Sequence, residues 1–374
     1  MQANGADARG RSARWRPFRK VALIGIASLA AWLLTRLAQS HPEAVERIYS
    51  RGIYPLWGQA LSTVTGLLPV SLSEVLLFAL PALLALGVVQ AARRRNAWRR
   101  LAAGWLCVPL CGYLVFSLGW ALNYSRKPYA EIAGLPVQAV EVNTLERLVV
   151  RLADQANDLR AELGGGGEAF ALSVDRRTVL REHVNEAYAS AAQAYPWLGG
   201  HYGAPKFALL STPLAYLQIS GIFSPFTFEA HVNAHESDAL LAATAAHEGA
   251  HLRGFAREDE ANFIAYAVCM ESPRAYVRYS GTLLALIYAG NALSEADPAA
   301  YAAVWAMYSP AVVADLRAYN AAWESYDGEA AEVHEQLNDA YLKANGQTEG
   351  VRSYGRMVDL LIAQMLQEEG EEAQ

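Results

Sequence analysis

Long apolar runs dominate the first third of the chain and are missing from the rest. They occupy about 21–38, 72–89 and 101–122. Each approaches the roughly 20 residues that a helix needs to cross a bilayer. The pattern therefore predicts three transmembrane helices. Arg36, near the end of the first run, can snorkel to the interface, and Glu74 also lies near a span end. A basic flank and an apolar core also describe a signal peptide, but the length of this run and its weak cleavage site favour a membrane anchor. Residues 40–70, with Pro42, Pro55 and Trp57, read as an interfacial loop holding a short amphipathic helix. Downstream, 282–293 is apolar but too short to span, and reads as a buried core helix.

Beyond the third run the periodicity changes. Helical spacing appears at about 142–163 and 175–194, separated by the glycine loop 164–167. Segments at 206–211, 214–220 and 226–233 carry aromatic and β-branched residues and read as strands. Helical patterns follow, and the tyrosine-rich run 301–326 is most simply core packing. The expected class is α+β, mainly helical with a small sheet. It divides into a membrane module (1–123), a globular domain (124–366) and an acidic tail (367–374).

Charge sets the topology. Hydrophobic residues make up 53% and charged ones 18%, with a net charge of −6. That balance points to membrane spans and gives no reason to expect a nucleic-acid partner. Arginines cluster before the first run and between the second and third, so the positive-inside rule puts both segments in the cytoplasm. Three spans then leave everything after Leu122 outside. Trp120, Asn123, Tyr124 and Arg126 read as an interfacial anchor at the end of the third span. Cys107, Cys111 and Cys269 form no disulfide framework.

The chemistry is concentrated in His247-Glu248-Gly249-Ala250-His251. Asp238 is placed to cap a helix running to Arg253, with Gly254 just past its end. Four residues apart, His247 and His251 project from one face and can share a Zn²⁺. Glu248 is then the general base: zinc lowers the pKa of water toward about 7, and the glutamate accepts the proton. The helix is otherwise apolar, so two histidines and a glutamate within it would be costly to bury without a partner.

A catalytic zinc takes three protein ligands. Glu258 opens the next helix and is the favoured third ligand, with Glu260 and Asp259 as alternatives. Asn262 shares the face of Glu258 and could orient a ligand histidine. The spacing HExxHxxGxxH of the metzincins would put a ligand at Arg257, and arginine has no lone pair to offer. Tyr354, His231 and His235 are candidate oxyanion donors. Segment 227–233 is either a core strand or a free edge on which an extended substrate could pair.

The string HEGAHLRGFAREDEANF (247–263), with 221–227 (GIFSPFT) and 353–355 (SYG), resembles a bacterial family of multi-pass membrane proteins called domain of unknown function 3810. HExxH followed by ExxAN is also similar to the ImmA/IrrE-type metallopeptidases, whose first glutamate of ExxAN binds metal and maps to Glu258. The resemblance implies a zincin-like domain and brings no substrate.

Taken together, the sequence leads us to expect a zinc metallopeptidase in the bacterial inner membrane, cutting a peptide or protein substrate on the extracytoplasmic side. The alternatives are a non-catalytic, envelope-binding or structural protein and a zinc hydrolase of a non-peptide amide.

Overall fold

The structure, a computed structural model, describes residues 3–94, 97–138, 141–345 and 356–372. Among the described residues, three helices are long and apolar enough to cross a membrane: Pro17–Ala38 (within the helix Ala3–Ala38), Leu72–Ala92 and Ala97–Gly119. Side chains such as Leu23, Phe78 and Leu83 stand exposed on them, as lipid-facing residues do. The first and third pack side by side, and the Ser28 hydroxyl donates to the Leu110 carbonyl at 3.3 Å.

Residues 40–70 are more ordered than an interfacial loop. Pro42–Ala44, a π-helical stretch Val45–Ile53 and the helix Tyr54–Gly66 follow one another. Pro55 sits in the first turn, where a missing N–H costs nothing, and Tyr54, Gly58, Ser62 and Thr65 bury one face.

The rest of the chain is mainly helical with one small sheet. Helices Val142–Glu162, Leu241–Leu252, Glu258–Met270 and Ala275–Ala296 share a core that includes Leu152, Ala246, Phe263, Ile264 and Leu283. The apolar stretch 282–293 lies inside the last of these, with Leu283, Leu286 and Leu293 buried. A second, aromatic cluster joins membrane helices to domain: Tyr49, Tyr54, Trp120, Phe228 and Leu252.

The strands are shorter than the pattern suggests: β1 Lys206–Phe207, β2 Gly221–Ser224 and β3 Glu229–Val232. Their order is β1-β3-β2, with β1 parallel and β2 antiparallel to β3. Residues 211–216 form a helix instead of a strand. The carboxylate of Glu74 explains why: it accepts from the Leu209 and Leu210 amides at 3.0 and 2.7 Å, which ends the β1 ladder. β3 is central and wholly buried, so segment 227–233 is a core strand. The sheet's edges are β1, only two residues long, and β2.

Carboxylates also fasten the membrane helices to the sheet. Glu229 on β3 accepts from the Leu72 and Ser73 amides at 3.1 and 2.9 Å, at the N-terminus of the second membrane helix. Exposed amides and the helix dipole both favour an anion there. Lys206 pairs with the same carboxylate at 2.7 Å.

Candidate metal centre

The helix carrying the motif runs Leu241–Leu252. Asp238 does not cap it: its carboxylate is drawn to the Leu172 amide at 2.9 Å and to Arg176 at 3.1 Å. Ser280, from the neighbouring helix, accepts from the Ala243 amide at 2.9 Å instead. The C-terminus follows expectation. Gly254 adopts φ +84°, and the Phe255 amide returns to the Ala250 carbonyl at 3.1 Å. A side chain there would be strained, and its Cβ would come 3.0 Å from the Tyr54 ring.

This tight turn lets the next helix begin at Glu258, beside the histidines. The His247 and His251 rings lie 4.7 Å apart. Their Nε2 atoms reach the Glu258 carboxylate at 3.2 and 3.5 Å. One ligand atom from each of the three residues falls within 4.8 Å of the others. Glu260 turns elsewhere, to the Tyr129 amide at 2.7 Å and Arg257 at 2.8 Å. Neither it nor Asp259 joins the cluster.

The group that orients His251 is a backbone carbonyl. Phe255 O stands 2.7 Å from Nδ1; that carbonyl accepts a proton from Nδ1, so Nε2 is the nitrogen that can turn a lone pair to a metal once its own proton is lost. Asn262, expected in that role, donates to the Tyr288 hydroxyl at 3.1 Å instead. Tyr54 steadies the helix end by donating to the Leu252 carbonyl at 3.1 Å.

Burial shapes the electrostatics. It opposes charge on His251, yet the Glu258 and Glu248 carboxylates outweigh it and lift the imidazole to about 9. Burial likewise works against ionisation of Glu258, but the two histidines hold its carboxyl far below the usual range. Glu248 goes the other way: burial pushes it up to about 7 against the pull of His247 and His251. Its Oε2 is buried with no hydrogen-bond partner among the described residues. Gly221 on β2 makes room for it, since a Cβ there would stand 2.4 Å from Oε1.

The three residues and Glu248 face a cleft of about 600 Å³, lined by β2 residues Gly221, Ile222 and Phe223 and by Tyr288, Tyr319 and Tyr341. Tyr319 thus serves the cleft, while Tyr308 from the same tyrosine-rich run packs in the core.

The residues after the third membrane helix are part of this site's frame, not an interfacial anchor. Trp120 is 3% exposed, with its ring 6.2 Å from His251 and 4.7 Å from Phe223. Buried Asn123 accepts from Ser50 at 2.9 Å. Arg126 donates to Glu46 at 2.8 and 2.9 Å and to the Gly254 carbonyl at 2.8 Å. Tyr124 lines the cleft and shares a hydrogen bond with Tyr341 at 2.9 Å.

The oxyanion candidates fare poorly. His231 is buried against the Ile222 carbonyl, and His235 lies beside Thr212 and Tyr326. Neither lines the cleft. Tyr354 lies outside the described residues. Tyr288, which sequence reasoning missed, stands in the cleft with its hydroxyl pushed up to about 12, by burial first and then by Glu258.

No curated protein and no solved structure matches the chain. A family model described as "Protein of unknown function (DUF3810)" matches residues 49–362, a span that takes in the second and third membrane helices and the whole histidine–glutamate cluster. The chain belongs to that family.

Proposed function

We propose that this chain is a membrane-anchored zinc-dependent peptidase. The observation that carries the reading is the convergence of His247, His251 and Glu258 on one point, with the buried Glu248 carboxylate beside it. Two imidazoles and a carboxylate are the donor set of catalytic zinc sites that keep one position open. Glu248 Oε2, buried without a hydrogen-bond partner among the described residues, fits a water held beside the three ligands. His247, His251 and Glu258 would hold the ion. When bound, zinc supplies Lewis acidity, which acidifies water and polarises a carbonyl.

The chain's own residues do the rest. Glu248 takes the proton of the water that adds to the peptide carbonyl carbon. It passes that proton to the departing amine as the C–N bond breaks. Phe255 and Trp120 keep His251 in place. The free edge of β2 offers backbone donors and acceptors to an extended peptide, which favours a polypeptide over a small amide.

The basic segments before the first and between the second and third membrane helices support a cleft on the extracytoplasmic side of the bacterial inner membrane. The test uses full-length chain in detergent and a library of quenched fluorescent peptides. Wild type is expected to cleave members of the library, and Glu248→Gln to be slower by about 10²–10⁴-fold while keeping its metal. Equal rates in the two proteins would overturn the reading.

A further inference from the structure

The helix Tyr54–Gly66 is built inside-out for a protein in water. The face turned to the domain carries Tyr54, Gly58, Ser62 and Thr65, all buried. The outward face carries Leu56, Val64 and Leu67, exposed at 73%, 63% and 80%. A surface helix in water shows the reverse arrangement. No charged residue occurs between Arg51 and Glu74. The inward contact is of the close kind that small residues permit between elements in lipid: a Cβ on Gly66 would lie 3.1 Å from the Gly203 Cα, and one on Gly203 would strike the Ser62 carbonyl.

The occupant of the outward face follows from continuity. The segment leaves the first membrane helix at Ala38 and enters the second at Leu72, so it starts and finishes at the same surface of the bilayer. At 13 residues the helix is about 20 Å long, too short to cross about 30 Å of hydrocarbon. A helix with such a face lies in the membrane interface.

The same helix touches the candidate metal centre. The Tyr54 hydroxyl donates to the backbone carbonyls of Leu252 and, at 3.4 Å, of His251 itself. From the other direction, Trp120 follows the last residue of the third membrane helix and stacks edge-on to His251. Phe116, in that helix's last turn, has its ring 6.5 Å from Tyr341 in the cleft. One side chain thus separates the cluster from the interfacial helix, and one separates it from the third span. Ile222 on β2 and Phe226 just after it are exposed apolar side chains as well.

We propose that the helix Tyr54–Gly66 is seated in the bilayer interface by Leu56, Val64 and Leu67, and that the cleft consequently acts on polypeptides that are themselves membrane-held. Such substrates are cut close to where they leave the lipid. The seating stands on the helix alone; the substrate class rests on the peptidase reading. Anchoring raises the concentration of a polypeptide at the cleft without any new contact, whereas a free peptide must reach a site flush with the bilayer.

The experiment has two arms, both with the full chain in lipid nanodiscs. In the first, Leu56→Cys, Val64→Cys and Leu67→Cys each carry an environment-sensitive fluorophore, in a background with Cys107 and Cys111 replaced by serine. Exposed Asp158→Cys is the control. Nitroxide-bearing lipids are expected to quench the three labels and spare the control, and aqueous iodide to do the opposite. Iodide quenching of all three without nitroxide quenching overturns the seating.

In the second arm one quenched peptide library is offered both free and attached to a lipid in the same nanodisc. Tethered cleavage faster by on the order of tenfold or more is the expected result. Equal rates overturn the substrate class and leave the peptidase reading intact. Cleavage of neither form overturns the peptidase reading and the substrate class with it, and the seating is still decided by the first arm.

Discussion

Two regions of the molecule bury charge, and they treat it differently. At the joint between membrane helices and domain, buried carboxylates are answered: Glu46 by Arg126, Glu229 by Lys206 and two helix amides, Glu74 by two amides that end a strand. In the cleft, Glu248 is as deeply buried, yet the charges acting on it are those of the two histidines and Glu258, and one of its oxygens has no partner among the described residues. Satisfied buried charge holds a structure together. Buried charge left half-satisfied in a cleft marks a candidate site for chemistry.

That contrast makes the two carboxylate settings respond oppositely to substitution. Glu248→Gln removes a buried ionisable group, so the account expects lost hydrolysis with a melting temperature unchanged or raised, checked by thermal unfolding of the detergent-solubilised chain. A sharp fall in melting temperature would mean that Glu248 belongs with the structural carboxylates. Arg126→Ala removes the buried partner of Glu46 and leaves that carboxylate only the half-exposed Arg51 at 2.7 Å. A cost of about 3–5 kcal/mol should follow, seen as a lower melting temperature or as failure to accumulate folded chain; a silent substitution would show that the joint is not held electrostatically.

Gly221→Ala sharpens the comparison at closer range. The new Cβ meets the Glu248 carboxylate, so overpacking should cost about 1–3 kcal/mol and lower peptide hydrolysis together. The same change at Gly104, where a Cβ meets nothing within 4 Å, should be neutral in both measurements.

The smallest effect is a pH dependence of the joint. Burial raises the pKa of Glu229, but Lys206 and the Leu72 and Ser73 amides outweigh it, so the folded value is depressed. The stability it adds is therefore complete above the unfolded carboxylate pKa of about 4.3 and is lost as pH falls through the lower, folded value. Melting temperature should drop in that acid window for wild type and drop less for Glu229→Gln. Parallel curves would remove Glu229 from the account.

What the sequence made legible was local. Three spans announce themselves by length and hydropathy. His247, Glu248 and His251 share a helix face by spacing alone, Gly254 marks the turn, and Glu258 follows within a few residues, so the structure brings together neighbours in the chain. What stayed hidden depends on partners far away. Asp238 looked like a helix cap but is engaged by Leu172 and Arg176. Residues 214–220 looked like a strand, but Glu74, from a membrane helix, takes the preceding amides. Trp120 and Arg126 looked like a bilayer anchor because aromatic and basic residues after a span usually are one. Only the packed chain shows them against His251 and Glu46. Burial of Tyr54, Gly58 and Ser62 was equally unreadable, since a helix that hides its small polar face violates the ordinary pattern.

The most direct measurement is the zinc content of the purified full-length chain, wild type and Glu258→Ala, by elemental analysis after equilibration with zinc. The account predicts about one zinc per wild-type chain and its loss from Glu258→Ala. Wild-type protein that binds no zinc, or a Glu258→Ala variant that keeps all of it, would contradict the metal centre described here.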